Sequence, residues 1–284
     1  MAHALTWLDV FTARPLTGNG LAVVHDADGV SDEAMLGFAR ETRLSETTFV
    51  QTASEPGADY RNRIWMTTRE LDFAGHPSLG TAVAVARARG LREASLVQQT
   101  RAGLQPIDVE VGDGATARAS MLQEPAAFGD EVDPARALGP LGLEADDAHP
   151  ELPPQVVSTG IAHLIVPVRR AVALDRVAPD LGALRDLLSA IGCTCAYVVL
   201  AEPERETARA RSFFVDLAAV AEDPATGSAA GPLMAYLHAR GGARRLTIEQ
   251  GVELGRPSRL ECEAGDRVRV AGDVVVLFDG TLTL

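Results

Sequence analysis

Two heptapeptides constrain this chain more than any other feature: His76-Pro77-Ser78-Leu79-Gly80-Thr81-Ala82 and Asp223-Pro224-Ala225-Thr226-Gly227-Ser228-Ala229. Both read polar-Pro-x-x-Gly-Ser/Thr-Ala. Each follows strand-like sequence and opens an apolar run of small residues that ends in Ala-Arg-Gly, at residues 88–90 and 239–241. A repeat spaced by about half the chain predicts two similar halves, and 284 residues are enough for two cores. The halves fall at residues 1–122 and 123–284, with the last strands free to cross back to the first half.

Helix starts of this kind have a chemical use. The first N–H groups of a helix lack intrahelical partners and sit at the positive end of its dipole, so they hold anions. Small residues let a ligand approach the backbone, and an early proline removes an N–H that would be unpaired anyway. If the halves face each other, both starts converge on one cleft with the side chains of His76 and Asp223. That cleft suits a small anion, most simply a carboxylate. Taken singly, Asp223 reads equally well as an N-cap and His76 as a turn-tightening histidine; their equivalent places in the repeat favour a shared function. Glu46, in Glu41-Thr-Arg-Leu-Ser-Glu-Thr-Thr-Phe-Val50, is the third acid–base candidate. Without context it is a solvated lead into an edge strand.

Around these motifs the pattern is mixed α and β. Residues 3–10, 21–25, 47–52 and 60–68 read as strands, with a helix from the Ser31 cap through Arg40. A small-residue helix is expected from Ser78 to Ala88, then strands at 95–100, 106–111 and 116–122. The stretch Gln123–Pro154, rich in Pro, Gly, Asp and Glu, reads as an interdomain connection and flexing region with one short helix at 133–138. Strands follow at 155–159, 163–168, 195–201 and 212–217, with a helix at 179–190 and further strands from Leu246 through Thr283.

Composition excludes several chemistries. The net charge of −13 repels phosphate backbones and anionic membranes, so neither nucleic acid nor a membrane is an expected partner. The chain has no lysine, which rules out a side-chain Schiff base and a Walker A loop. Three cysteines, Cys193, Cys195 and Cys262, suit a reducing compartment, and Cys193-Thr-Cys195 alone is a weak metal signal. No apolar run spans a bilayer, so the expected location is the cytoplasm.

The motifs together resemble the PhzF family, named for an isomerase of phenazine biosynthesis. They are Asp9-Val-Phe with Gly18-Asn19, Leu44-Ser-Glu46-Thr-Thr-Phe-Val50, Glu70-Leu-Asp-Phe-Ala-Gly-His76-Pro77, Ser158-Thr-Gly-Ile-Ala-His-Leu164, Glu222-Asp-Pro-Ala-Thr-Gly-Ser-Ala-Ala-Gly231 and Gln250-Gly-Val-Glu-Leu-Gly-Arg-Pro-Ser258. The resemblance implies a diaminopimelate epimerase-like α+β fold, two similar domains each wrapping a curved sheet or barrel around a central helix. It also implies a homodimer. In the family's isomerase, the glutamate of the Leu-Ser-Glu motif moves a proton between ring carbons of dihydro-3-hydroxyanthranilate, and Glu46 stands in that place. Partial burial that raises its pKa toward neutrality would suit such a shuttle. His76 and Asp223 match the family's other catalytic residues, while Gly75, Thr226, Gly227 and Ser228 match the part that binds substrate. No cofactor or metal is implied. Racemases of this fold use a cysteine at each helix start; His76 and Asp223 occupy those places here, against a two-cysteine mechanism. Gly20 and Thr68 stand where the family usually has proline, which leaves substrate choice more open than fold. A non-catalytic binder of the same fold, or an isomerase of another secondary pathway, are the alternative readings.

Overall fold

The computed structural model describes residues 2–215 and 220–284. In chain order its elements are β1 (Ala2–Val10), β2 (Asn19–Val24), α1 (Asp32–Thr42), β3 (Thr47–Gln51), β4 (Tyr60–Trp65), β5 (Glu70–Leu71), α2 (Gly75–Ala88), β6 (Glu93–Thr100), β7 (Gly103–Val111) and β8 (Thr116–Leu122). They continue with β9 (Ala127–Glu131), α3 (Pro134–Leu138), β10 (Gln155–Ser158), β11 (Ala162–Pro167), α4 (Ala171–Arg176), α5 (Leu181–Ile191), β12 (Cys195–Glu202) and β13 (Thr207–Val215). The last are β14 (Val220–Asp223), α6 (Gly227–Ala239), β15 (Arg245–Gln250), β16 (Ser258–Glu263) and β17 (Arg269–Thr283). Two compact units emerge: Met1–Leu122 with Ala271–Leu284, and Gln123–Val270.

The first unit is a closed eight-stranded barrel. Antiparallel ladders join β17 to β1, β1 to β2, β3 to β4, β6 to β7 and β7 to β8; parallel ladders join β2 to β3 and β4 to β6. Pairing of β8 with β17 completes the ring and leaves no open edge among these strands. Each parallel joint needs a crossover helix. The first is α1, started by the Ser31 hydroxyl accepting from Ala34 N–H and stopped at Arg43 in the left-handed region. Its Met35 and Ala39 pack on Leu5, Ala22, Val24 and Phe49. The second is α2, which touches strands all around the ring and so threads the barrel. Every residue from Gly75 to Ala86 is buried, and most of these side chains are small, as so confined an axis requires.

The second unit repeats this plan. Its strands run β9, β10, β11, β12, β13, β15, β16, with parallel joints again at the third and fifth junctions, β11/β12 and β13/β15. The crossover helices are α4 and α5 at the first joint and α6 at the second. Helix α6 packs against β10, β11, β15 and β16 and is buried almost throughout.

Some expectations need correction. Helix α2 starts at Gly75, not Ser78, because Gly75, His76 and Pro77 take the first turn, where proline is tolerated. The segment 123–154 is not a free connection: it contributes β9 and α3, and Val132, Leu138, Leu141 and Leu143 lie in the apolar core of the second unit with Leu164, Val166 and Phe213. Its polar composition hid those spaced leucines. The expected strand at 212–217 begins earlier, at Thr207; its end at Leu217 lies outside the described residues.

The barrel axis supplies a test. A Cβ added at Gly80 would lie 2.6 Å from Leu21 Cδ2, 2.8 Å from Leu8 Cδ1 and 2.9 Å from Val10 Cγ2. Gly80→Ala is expected to destabilise the protein by about 1–3 kcal/mol in urea unfolding. Gly37→Ala, on exposed α1 with nothing near its Cβ, is expected to stabilise by a few tenths up to about 1 kcal/mol.

Candidate active site

In the first unit the structure brings Glu46 and His76 together. Glu46 is the last residue before β3, in the turn that leaves α1. The turn is fixed by hydrogen bonds of the Thr42 hydroxyl to Ala39 O and to the Thr47 hydroxyl, both at 3.0 Å. The next residue of the strand, Thr48, bonds Thr81 of α2 through its hydroxyl at 2.8 Å. Strand and central helix are thereby pinned to each other, and His76 Nε2 lies 3.5 Å from Glu46 Oε2. Both side chains are largely buried, at 5% and 14% exposure.

This contact is not an ion pair. Burial lowers the His76 pKa from 6.5 to about 3, opposed only by a hydrogen bond to the Gly20 backbone. On its far side, His76 Nδ1 meets Asn19 Nδ2 at 3.2 Å. A neutral imidazole so held is an orienting and hydrogen-bonding group rather than a base near neutrality. The carboxylate is the group here able to accept a proton. Asn19 stood in the sequence only as part of the Gly18-Asn19 motif, with no role assigned to it.

The second unit arranges Asp223, Thr226, Gly227 and Ser228 differently from their repeat partners. Asp223 ends β14, three residues ahead of the α6 cap Thr226, so it is not the N-cap that the sequence allowed. The Thr226 hydroxyl donates to Asp223 Oδ2 at 2.7 Å. Gln250 locks both: its Nε2 donates to Asp223 O at 2.6 Å and to Thr226 Oγ1 at 2.9 Å, and its Oε1 accepts from Thr226 N–H at 3.2 Å. Buried Tyr197 donates to the same Oε1 at 2.9 Å, and burial keeps its phenol protonated. Gln123 Nε2 donates to Gly227 O at 2.8 Å, with the Thr159 hydroxyl donating to Gln123 Oε1. Gln250 and Thr159 lie in the quoted motifs, but nothing in their spacing revealed these contacts.

Each unit also braces its site with the same device. Arg63 grips Glu70 through two hydrogen bonds of 2.8 and 2.7 Å, and Arg211 grips Glu222 through two of 2.8 Å. Each guanidinium lies over the aromatic ring two residues on, Trp65 at 5.4 Å and Phe213 at 5.1 Å. Fork-to-fork pairing with a stacked face is specific to arginine. Glu222 directly precedes Asp223, so this clamp fixes the strand that presents it.

The thiols play no comparable part. Burial pushes Cys193 up to about 12 and raises Cys195 and Cys262 further, which leaves all three protonated and unreactive. Among the described residues no group of three or more His, Cys, Asp or Glu could hold a metal, and no helix is long and apolar enough to cross a membrane.

The buried imidazole makes stability depend on pH in a defined direction. The unfolded chain protonates this ring below 6.5, whereas the folded chain does so only near 3. The unfolded state therefore binds more protons in that window, and stability falls as pH drops below 6.5, by up to about 1.4 kcal/mol per pH unit. In urea titrations between about pH 6.5 and 5, where carboxylates stay ionised, His76→Asn is expected to flatten that slope by up to this amount. An unchanged slope would mean that the ring titrates normally in the fold.

Comparison with known proteins identifies the family. The family profile described as phenazine biosynthesis-like protein, PhzC-PhzF, matches residues 8–280. The trans-2,3-dihydro-3-hydroxyanthranilate isomerase of Pseudomonas aeruginosa is 37% identical over 98% of both chains. The crystal structure of a PhzF family phenazine biosynthesis protein from Bacillus anthracis superposes with a TM-score of 0.87 at 29% identity, covering both chains completely. A probable proline racemase from Agrobacterium radiobacter, 13% identical with a TM-score of 0.64 over 99% of this chain and 93% of its own, shares the fold alone. The architecture is thus the diaminopimelate epimerase-like α+β fold, and the chain belongs to the PhzC-PhzF family, as one of its isomerases.

Proposed function

We propose that this isomerase moves a proton within trans-2,3-dihydro-3-hydroxyanthranilate or a closely similar cyclic amino acid, without a cofactor. The observation that carries the reading is the Glu46 carboxylate set 3.5 Å from a buried, neutral imidazole. Glu46 takes a proton from a ring carbon beside a double bond, and the electron pair left behind spreads over the allylic system. The protonated carboxyl then returns the proton to the far end of that system, which shifts the double bond and restores the carboxylate. His76 orients Glu46 throughout.

Substrate binding falls to the helix starts. The N–H groups of Gly227 and Ser228 hold the substrate carboxylate, and Gly75 offers the same backbone freedom at the start of α2. Asp223 accepts from the substrate's amino or hydroxyl group. Thr226 serves by holding Asp223, since its hydroxyl and amide are already engaged. A homodimer working in the cytoplasm completes the proposal, supported by the family resemblance and by free, unreactive thiols.

The test is NMR in deuterated water with trans-2,3-dihydro-3-hydroxyanthranilate. The expected outcome is isomerisation with deuterium entering the ring, slowed by about a hundred- to ten-thousand-fold in Glu46→Gln. Turnover that survives that substitution would remove Glu46 from the mechanism. No turnover by the unaltered protein, with ligand binding retained, would move the reading to another substrate or to a binding protein. Light scattering checks the assembly, with a mass of twice 29.9 kDa expected.

A further inference from the structure

Helix α6 carries a proline in its interior, Pro232. A proline there cannot donate to the carbonyl four residues earlier, and its ring pushes that carbonyl aside. The carbonyl concerned is that of Ser228, in the turn whose N–H groups are proposed to bind the substrate carboxylate. Central helix α2 has no such proline, since Val85 occupies the corresponding place of the repeat.

A side chain stands ready at this gap. His163, on β11, is completely buried, and the Ser228 backbone is close enough to favour its protonated ring, as a carbonyl facing the imidazole would. Its Nδ1 lies 3.0 Å from Cys195 Sγ and 3.2 Å from Thr194 Oγ1. Its Nε2 is buried without a well-aligned partner, so the link to Ser228 is long or bent. A buried polar atom with so incomplete a bond is costly unless the site needs it. Beside it, Gln123 donates to the carbonyl of Gly227. One side-chain donor thus holds the carbonyl of Gly227, and a second stands at that of Ser228, the next residue of the turn.

We infer that His163 is a positioning residue, replacing the N–H that Pro232 lacks and thereby setting the first turn of α6 for substrate. It does not touch the reacting atoms. Through the Ser228 carbonyl it fixes the orientation of the peptide planes whose N–H groups face the ligand. This role rests on the reading that those N–H groups bind the carboxylate. A proline at 232 keeps the turn from being closed by its own helix, so its geometry is decided by β11 rather than by α6.

The experiment is a double-mutant cycle between His163→Leu and Pro232→Ala, read by the affinity for 3-hydroxyanthranilate, a stable aromatic carboxylate. The His163→Leu change is expected to weaken binding about tenfold, the equivalent of about 1.4 kcal/mol. Pro232→Ala supplies an N–H four residues after Ser228, so in that background the loss of His163 should matter less than twofold. A double variant as weak as His163→Leu alone, or no loss in the single variant, overturns the proposal. Melting temperatures of the same four proteins separate its failure from that of the carboxylate reading. Coupling in melting temperature without coupling in affinity supports the His163–Ser228 contact and overturns carboxylate binding at this turn. The absence of coupling in both overturns the contact itself.

Discussion

The structure depends on one steric constraint: a helix threaded through a closed ring of eight strands. Space along that axis is tight, which is why α2 is rich in Gly, Ser, Ala, Thr and Val and why Gly80 lies against Leu8, Leu21 and Val10 with no room for a methyl. The same confinement buries His76 and desolvates it. A residue in this first turn cannot reach bulk water, so its imidazole stays neutral beside the Glu46 carboxyl. Packing and chemistry are therefore set by the same confinement, because the residue that opens the central helix is also the one that faces the carboxylate.

Duplication supplied the scaffold, and departures from it supply the chemistry. The Arg63–Glu70 and Arg211–Glu222 clamps, each with its stacked aromatic, are preserved in both units. The strand registers allow a closer comparison, since Arg63 pairs with Phe49 and Arg211 with Val198. Three residues before those partners stand Glu46 and Cys195. One unit has a carboxylate in this place and the other a buried thiol whose pKa is raised. The helix starts diverge as well: His76 lies inside α2, Asp223 lies ahead of α6, and only α6 carries a proline beyond its first turn.

Much of this was legible in the sequence. The repeated heptapeptide announced two like units because its Pro and Gly positions answer to backbone geometry, which alignment of the halves exposes. Glu46 and His76 could be named from motif resemblance, but their approach depends on a hydrogen bond between Thr48 and Thr81, 33 residues apart, which no local pattern encodes. The segment 123–154 misled for a related reason. Most of its acidic residues face outward, while Val132, Leu138, Leu141 and Leu143 are spaced too irregularly to show a strand or helix period. Gln250 was hidden because a buried amide that joins Asp223, Thr226 and Tyr197 looks like any strand-end glutamine until the ladder is known.

The asymmetry between Glu46 and Cys195 bears on how a proton can be moved. A racemase needs two groups, one on each face of a carbon, so that one removes a proton while the other delivers one. Here only the first unit offers a carboxylate at the matched position, and its counterpart is a thiol that burial keeps protonated, beside the buried His163, also held neutral with a pKa of about 3. Neither is a base near neutral pH. On the proposed reading a single carboxylate must both take the proton and give it back, which confines the transfer to one face of the substrate and suits movement of a double bond rather than inversion of a centre.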